Sequence, residues 1–441
     1  MSRRQEDGGK GIERGLTKAA ELLARLEASL EPPVRAALEA VLRLAEEDGR
    51  VLYLVGGAVR DLLLGRGQVD VDLVGEGEML SLAQKAGRRL TARYLAHGTF
   101  GTVTLKAEDF RLDLAMARAE TYWRPGALPR VRPASIGEDL ARRDFSMNAM
   151  ALALGGPERG DLLDPFDGRG DIARRFVRVL HDRSFIDDAT RILRAVRYET
   201  RLSFRIEGET LALLKRDLSY LDTISGARLR QEFLRLLAEE EPEKGLLRCQ
   251  ELGVLAAIHQ ALRFDEELAA ACRRDRQACP ERSRREGAPG PEFYLALLGT
   301  RLSPAEGAAV ARRLALSRRQ RQALEGAAEL AGLLPWLARP DLRPSQVVER
   351  LEPFPQIAVR AWALLAPEPL VRERLGRYLW EWRYVKPRLD GRALESLGLA
   401  PGSLMGEVLR MLKEARLDGQ TGSREEEVEL VRRALRDRGE R

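Results

Sequence analysis

The stretch from Tyr53 to Val74 constrains the fold of this chain more than any other. It begins with the apolar residues Tyr53–Val55, which predict a short strand. The glycine pair at 56–57 predicts a tight turn, and Ala58–Leu64 predicts a helix that the glycines at 65 and 67 end. A strand, a glycine turn and a short helix in succession bring backbone N–H groups to the edge of a sheet, where an anion can bind.

A second strand is predicted at Val69–Val74, and it contains Asp70 and Asp72. Side chains of a strand alternate between its two faces, so both carboxylates are expected on the same face. A divalent cation would relieve their repulsion, and oxygen ligands suit Mg²⁺ completed by water and the phosphates of a nucleoside triphosphate. The alternative is a pair of aspartates on a solvated strand face, without metal.

Two residues beside this turn are candidates for binding phosphate. Gly57 belongs to the predicted turn, where its backbone N–H can approach a phosphate. Arg60 lies one helical turn further on, and its guanidinium is expected to reach the same phosphate. The whole pattern, G-G-x-V-R-D followed by D-x-D, resembles the nucleotidyltransferases that build or repair the 3′-CCA end of tRNA, in the class that also contains bacterial poly(A) polymerases. The resemblance is clearest between residue 50 and about residue 260.

A third carboxylate, Asp113, lies centrally in a strand predicted at Phe110–Ala115. It is a candidate catalytic residue, because a carboxylate on a neighbouring strand can join a metal site. The equal alternative is a half-buried aspartate paired with Arg111 or Arg118. Residues 119–136, which follow, are rich in proline and have no clear period, so a loop is predicted there.

Residues 138–150 contain Arg143 and Asp144 within the sequence RRDFSMN. This sequence resembles the motif with which the family reads the ribose, and the resemblance implies that Arg143 and Asp144 bind the nucleotide and its 2′-hydroxyl. A carboxylate that accepts this hydroxyl proton would favour NTP over dNTP. The alternative is a surface helix with an internal Arg–Asp pair.

Residues 184–201 place Asp188, Arg191, Arg194 and Arg197 three residues apart, on one gradually drifting face of a helix. The arginines repel one another, a triphosphate would neutralise them, and apolar residues with Tyr198 are expected on the other side. The motif resembles the family's Glu-Asp-x-x-Arg, although Asp187 replaces the glutamate. The resemblance implies that Asp188 and Arg191 act as an amino-acid template for the incoming base.

Hydrogen-bonding capacity agrees with such a template. Asp188 only accepts and Arg191 only donates. Cytosine and adenine both present an amino donor beside a ring-nitrogen acceptor, whereas uracil and guanine present the reverse arrangement. The pair therefore fits C and A.

The fold class predicted from these patterns is α+β, with a small mixed α/β nucleotidyltransferase head followed by an all-helical neck, body and tail. The predicted domains are an N-terminal helical extension at 1–50, a catalytic head at 51–175, a neck with the base-reading motif at 176–260, and a body and tail at 261–441. An exposed loop is expected at about 272–291. The resemblance implies that the helical arm binds the acceptor stem and 3′ end of a tRNA.

Composition excludes several other classes of protein. A charged fraction of 32% with 5% aromatic residues is typical of a helix-rich soluble protein, and the net charge of +6 permits a polyanionic partner. No apolar run is long enough to span a bilayer and there is no signal-peptide pattern, so a cytoplasmic location is expected. The three cysteines lack C-x-x-C spacing, which argues against a disulfide framework and a zinc site.

The resemblance implies an Mg²⁺-dependent enzyme that adds CMP and/or AMP, from CTP and ATP, to the tRNA 3′ end without a nucleic-acid template and releases pyrophosphate. Alternatives within this class are addition of only CC or only A, and poly(A) synthesis. From another class, a catalytically inert RNA-binding protein would keep the helical arm but would not need both the acidic and the templating motifs. The sequence indicates no oligomeric state.

Overall fold

A computed structural model of the protein describes residues 20–67, 70–97, 101–278 and 290–439. The chain forms two compact units, residues 1–225 and 226–441, so the division falls inside the predicted neck. The first unit contains a mixed sheet with helices, and every regular element that the structure describes in the second unit is a helix. The predicted α+β class is therefore confirmed. None of the described helices is both long and apolar enough to span a membrane.

The first unit is built on a seven-stranded sheet with the order β3-β4-β5-β2-β1-β8-β9. The pairing of β2 with β5 is parallel and the other pairings are antiparallel. The eleven strands described are β1 (Leu52–Val55), β2 (Asp72–Gly75), β3 (Arg93–His97), β4 (Thr102–Lys106), β5 (Arg111–Met116), β6 (Arg118–Thr121), β7 (Arg130–Pro133), β8 (Ala151–Ala153), β9 (Leu162–Leu163), β10 (Phe176–Val177) and β11 (Arg205–Ile206).

The two faces of this sheet are covered differently. Leu73 and Leu114 belong to a large core in which Leu38 and Val41 of the N-terminal helices also lie. Val74 belongs to a smaller cluster on the opposite face. Because strand side chains alternate, Asp72 shares the face of Val74 and turns away from the main core. A carboxylate can therefore remain charged there.

The second strand starts later than predicted, at Asp72 rather than Val69. The N–H of Asp72 donates to the carbonyl of Asp70 at 3.2 Å, so the chain turns between the two aspartates instead of being extended. Asp70 consequently precedes the strand, and the expected side-chain alternation does not apply to it. Val69 itself lies outside the described residues.

The predicted loop at 119–136 is wrong in part, because β6 and β7 pair as an antiparallel hairpin there. At one edge of the sheet, β3 and β4 form a second antiparallel pair. Large apolar side chains are few in β6 and β7. The two arginines and the proline of β7 hid the hairpin of β6 and β7, whose strands are exposed or half-buried.

The helices of the first unit surround the sheet and continue into the base-reading region. Residues 20–29 are also helical. The helices with defined bounds are Pro32–Glu47, Gly57–Leu63, Leu80–Arg89, Ile136–Ala141, Gly168–Arg174, Ser184–Asp187, Thr190–Leu202 and Gly208–Arg216, with 3₁₀ turns at Ser146–Asn148 and Leu218–Thr223.

The second unit is a succession of short helices, which the helical spacing of apolar residues in the sequence predicted well. Its described helices are Gly226–Leu237, Pro242–Glu251, Val254–Ile258, Glu266–Ala278, Pro291–Gly299, Pro304–Arg313, Arg318–Leu330, Leu334–Leu337, Pro344–Leu351, Gln356–Leu365, Pro369–Trp380, Gly391–Ser396, Ser403–Leu417 and Arg424–Gly439, with 3₁₀ turns at Ala331–Leu333 and Trp382–Tyr384. The loop expected at 272–291 is helical as far as residue 278, and residues 279–289 lie outside the described part.

Candidate active site

The parallel pairing of β2 with β5 brings two carboxylates side by side. Asp72 and Asp113 are direct Cα partners in this register, although they are 41 positions apart in the sequence. The pKa of Asp72 is raised, chiefly because burial removes water from its carboxylate and then because Asp113 and Asp70 are negatively charged. The positive charges of Arg143 and Arg111 oppose this rise. Water still reaches the Asp72 side chain. Asp70, Asp72 and Asp113 therefore lie close enough to interact electrostatically.

Asp113 is held by two neighbours on the sheet. Its Oδ1 accepts from the hydroxyl of Thr104 at 2.5 Å, and its Oδ2 accepts from Arg111 Nη2 at 2.9 Å. The predicted ion pair with Arg111 is thus present, and so is the position next to Asp72. The two interpretations of Asp113 are compatible, because an orienting ion pair does not remove the carboxylate from the site.

The donor atoms at this place suit a hard cation. All three side chains offer carboxylate oxygen. The pKa of Asp72 is raised by burial and then by Asp113 and Asp70, and a positive charge would relieve both effects. In the described ranges, no three His, Cys, Asp or Glu side chains are grouped tightly enough to hold a metal by themselves. An ion bound here would therefore need water or substrate oxygens as well.

The glycine turn after β1 makes room for an arginine from a distant part of the sequence. Gly56 has φ of +70°, and a Cβ atom built on it would lie 2.6 Å from Nη1 of Arg143. Arg143 pairs with Asp139 at 2.9 Å, and its buried Nε has no hydrogen-bond partner among the described residues. Gly56 and Arg143 therefore form one corner of the site, with a donor still available for a ligand.

Arg60 does not occupy the predicted position facing an anion. Its side chain is buried, and it donates to both carboxylate oxygens of Asp61, at 3.0 and 2.8 Å, and to Asn148 Oδ1 at 2.7 Å. The helix Gly57–Leu63 turns this residue inward, against the segment that follows the RRD sequence. Arg60 is thus placed to fix Asn148.

Asp144 is buried and engaged by several donors. Its Oδ2 accepts from Nε and Nη2 of Arg194, at 2.9 and 2.5 Å, and its Oδ1 accepts from Asn148 at 3.0 Å and from the N–H of Phe145 at 2.9 Å. Burial opposes ionisation, but Arg194 and Asn148 prevail and lower its pKa to about 2. The structure therefore joins the RRD segment to the arginine helix through a permanent charge pair.

The two predicted base-reading residues are both held by defined contacts. Arg191 is buried, and it donates to the Ser184 hydroxyl at 2.9 Å and to the backbone carbonyl of Arg142 at 2.8 Å. Asp188 Oδ1 accepts from the N–H of Thr190 at 3.0 Å and from its hydroxyl at 2.6 Å. Asp188 lies just before the helix Thr190–Leu202 and Arg191 lies in its first turn. Their orientations are fixed before any nucleotide arrives.

Tyr198 was expected on the apolar side of this helix, and that expectation is wrong. Its ring lies near three guanidinium carbons, at 5.2 Å from Arg60, 5.6 Å from Arg194 and 4.8 Å from Arg197. The ring's negative face attracts cations. Tyr198 and Asp144 together stabilise this group of arginines. From the sequence, the arginines were expected to repel one another unless a triphosphate bound.

Two buried acids that sequence reasoning did not select organise the arginines of the RRD segment. Asp139 has no exposed surface and accepts from Arg142 and Arg143. Glu120 accepts from Arg142 and Arg118 at 2.8 and 3.1 Å. The spacing of Asp139 from the two arginines, three and four residues, is the helical ion-pair spacing and could have identified it. No local signal identifies Glu120.

Family models match two parts of the chain. Residues 52–178 match the model described as Poly A polymerase head domain, and residues 203–268 match that described as Probable RNA and SrmB- binding site of polymerase A. The chain is also 33% identical over 387 residues to the A-adding tRNA nucleotidyltransferase of Halalkalibacterium halodurans, covering 86% of this chain and 88% of that protein.

Two further relatives include one with a different name. The CC-adding tRNA nucleotidyltransferase of Deinococcus radiodurans is 32% identical over 411 residues, which are 92% of this chain and 96% of the relative. The A-adding tRNA nucleotidyltransferase of Geobacter sulfurreducens is 32% identical over 430 residues, 93% of this chain, and the match spans 48% of that protein's length.

Solved structures agree over nearly the whole chain. An apo CCA-adding enzyme superposes with a TM-score of 0.79 at 30% identity and covers 95% of this chain and 99% of its own. The Thermotoga maritima CCA-adding enzyme complexed with tRNA superposes with a TM-score of 0.75 at 29% identity, and 95% and 98% of the two chains are covered.

Proposed function

The chain belongs to the tRNA nucleotidyltransferase family that shares the poly(A) polymerase head domain, and from this premise we propose that it adds CMP and/or AMP to the 3′ end of tRNA without a nucleic-acid template. The observation that carries the proposal is the convergence of sequence motifs on one site. Asp72 and Asp113 are paired in the sheet, Arg143 acts on Asp72, and Asp144 joins Arg194. An inert RNA-binding protein has no need of this arrangement.

Asp70 and Asp72 would hold Mg²⁺, and Asp113 would add a third negative charge beside them. A bound ion would supply Lewis-acid chemistry for attack of the terminal RNA hydroxyl on the α-phosphorus, with loss of pyrophosphate. Arg111 keeps the Asp113 carboxylate in place at 2.9 Å. The protein's own part is to place Asp72 and Asp113 side by side on β2 and β5.

Phosphate binding is assigned to the glycine corner and the arginine helix. The backbone of Gly57 at the helix start and the available Nε of Arg143 offer donors to the triphosphate or the ribose. Arg194 and Arg197 supply positive charge from the helix. Arg60 would contribute indirectly, because its guanidinium donates hydrogen bonds to Asp61 and Asn148 and so positions residues beside the site.

The role of Asp144 is proposed differently from the direct ribose contact that the resemblance implies. Its two oxygens already accept four hydrogen bonds, from Arg194, Asn148 and Phe145, and a carboxylate has about four such positions. Asp144 would therefore orient Arg194 and Asn148, and a ribose hydroxyl would have to replace one of the present donors.

Asp188 and Arg191 would select the base. The acceptor and donor they present match the edges of C and A, and each mismatched buried pair would cost about 1 to 3 kcal/mol for G or U. CTP and ATP are therefore the proposed substrates. The helical second unit would bind the acceptor stem of the tRNA through its shape and phosphates.

The number of nucleotides added is tested by one assay. Purified protein is incubated with tRNA ending at the discriminator base, at C or at CC, each with a single labelled NTP, and the products are sized. Addition of C to the first two tRNAs with CTP alone, together with addition of A to the third with ATP alone, supports the complete activity. Extension of only the first two with CTP, or only the third with ATP, identifies a CC-adding or an A-adding enzyme, and long adenylate tails identify a poly(A) polymerase. No Mg²⁺-dependent transfer to any of them contradicts the proposed function.

A further inference from the structure

The hairpin of β6 and β7 is attached firmly beside the base-reading residues. Its strands pair from Arg118 with Pro133 to Thr121 with Arg130. In the turn between them, Gly126 packs so closely that a Cβ atom there would lie 2.4 Å from the carbonyl oxygen of Thr223. The hairpin is therefore held at its strands and at its turn, and a side chain that it presents to the site has a defined position.

A buried carboxylate at the end of β6 gathers donors from two elements. The side chain of Glu120 is 7% exposed. Its Oε1 accepts from Arg118 Nη2 at 3.1 Å and from Arg142 Nη1 at 2.8 Å, and its Oε2 accepts from the phenol of Tyr122 at 2.8 Å. The phenol is thus one of three groups that determine how this carboxylate is oriented.

The same network continues into the base-reading arginine. The guanidinium of Arg142 is held between Glu120 and Asp139, and its backbone carbonyl accepts from Arg191 Nη2 at 2.8 Å. A continuous path therefore runs from the Tyr122 phenol through Glu120 and Arg142 to Arg191. Its three hydrogen bonds are each 2.8 Å long.

Tyr122 also lies near the base-reading pair in space. Burial and the charge of Glu120 raise the pKa of its phenol, Arg191 opposes that rise, and Asp188 adds to it. The phenol is therefore un-ionised at neutral pH and acts as a donor to Glu120. Both charges of the base-reading pair act on this one side chain of the hairpin.

We propose that Tyr122 is a specificity-determining positioning residue, which acts through Glu120 and Arg142 to fix the guanidinium of Arg191 against the incoming base. The proposal rests on the proposed function, because it concerns the choice of nucleotide by that same site. Discrimination between a fitting and a non-fitting base depends on how narrowly the donor is held. A less tightly held Arg191 could adjust its position to a non-fitting base, and this would reduce the discrimination between bases.

The test compares Tyr122→Phe with Thr121→Val, each of which removes one hydroxyl from adjacent residues of the hairpin. The Thr121 side chain is exposed and its hydroxyl makes only a long contact of 3.5 Å with the carbonyl of Arg130. For each variant, kcat/KM is measured separately with CTP, UTP, ATP and GTP on the tRNA that the wild type extends. We expect Tyr122→Phe to lower the CTP/UTP or ATP/GTP ratio by roughly 5- to 10-fold, as for one ordinary hydrogen bond, because the phenol acts on Arg191 only indirectly.

Thr121→Val should retain the wild-type ratio, and both variants should melt within about 2 °C of the wild type, because neither loses buried apolar area. A second variant, Glu120→Gln, interrupts the same path at its centre and should lower the ratio at least as much. In an Arg191→Lys background, Tyr122→Phe should have no further effect on the ratio, since residues acting along one path are not additive.

An unchanged ratio in both Tyr122→Phe and Glu120→Gln would overturn the proposal, as would an effect of Tyr122→Phe that persists in full in the Arg191→Lys background. These results differ from failure of the proposed function. In that case the wild type itself transfers no nucleotide, whereas failure of this proposal alone leaves a wild type that is active and selective.

Discussion

The carboxylate of Asp144 receives both Nε and Nη2 of Arg194, at 2.9 and 2.5 Å, across 50 positions of sequence. This charge pair joins the segment that precedes β8 to the helix Thr190–Leu202. It holds one of the arginines proposed to meet the triphosphate. The pair explains how a helix with three arginines is stable without a ligand.

The first prediction concerns this pair and pH. The pKa of Asp144 is about 2 in the folded protein and 3.8 ordinarily, so its ionised form stabilises the fold fully above pH 4 and less as the pH falls toward 2. Asp144→Asn removes this contribution. We expect the difference in free energy of unfolding between wild type and variant to shrink by about 1 kcal/mol between pH 7 and pH 3, the lower part of the loss falling between pH 3 and pH 2.

Denaturant unfolding of both proteins at pH 7, 5, 4 and 3 measures the difference. Asp164→Asn is not a suitable control, because that carboxylate caps backbone N–H groups at 2.6 and 2.9 Å. The exposed Asp109, in the turn between β4 and β5, is suitable, and Asp109→Asn should show no comparable trend. A pH-independent difference for Asp144→Asn would contradict the assigned pairing.

The second prediction concerns Gly56, compared with Gly65. Both have positive φ, +70° and +67°, but a Cβ atom would meet Arg143 at 2.6 Å only at position 56, whereas nothing lies within 4 Å at position 65. Gly65→Ala should cost about 1 kcal/mol in stability through the backbone, and Gly56→Ala should cost more, because its ψ of −127° is tolerated almost only by glycine. Only Gly56→Ala should also displace Arg143 and raise KM for the nucleotide, by roughly tenfold or more. Equal kinetics in the two variants would separate Arg143 from nucleotide binding.

The third prediction concerns the carboxylates. Asp72→Asn should reduce nucleotide transfer by at least about a thousandfold, because a charged oxygen ligand is lost, while affinity for tRNA changes little. Single-turnover transfer and filter binding measure the two properties. Asp109→Asn is the matched control, being an exposed acid on a turn of the same sheet, and it should leave both unchanged. Efficient Mg²⁺-dependent transfer by Asp72→Asn would remove Asp72 from the metal site.

The fourth prediction concerns the choice of base. Replacing Asp188 by Asn and Arg191 by Gln supplies a donor where there was an acceptor and an acceptor where there was a donor. Incorporation of UTP or GTP should therefore rise relative to CTP and ATP, by roughly fivefold for each restored hydrogen bond. Competition among all four NTPs measures this. Asp187→Asn, which changes a neighbouring acid 3.5 Å from Arg183, should not alter the preference. Unchanged selectivity in an active double variant would mean that the pair does not read the base.

Local sequence patterns determined those helices, strands and turns whose signals lie within a few neighbouring residues. The helices of the second unit, the first strand with its glycine turn, and the class of the fold all followed from spacing and turn chemistry, because those signals depend on residues within one or two helical turns. The candidate residues of the site were also visible, since the D-x-D, RRD and arginine-helix sequences each combine several residues of unusual type. The hairpin of β6 and β7 was missed because its strands have little buried apolar surface.

Only the tertiary structure decided which of these residues face one another. Arg60 turns inward to Asn148, Tyr198 lies among three arginines, and Glu120 is bound to Arg142, 22 positions away. The sequence specified that charged residues were present, but a charge acts over several ångströms in space and not along the chain. Whether an arginine meets a carboxylate, a ring or a ligand depends on strand register and helix rotation. Long-range packing sets both of these.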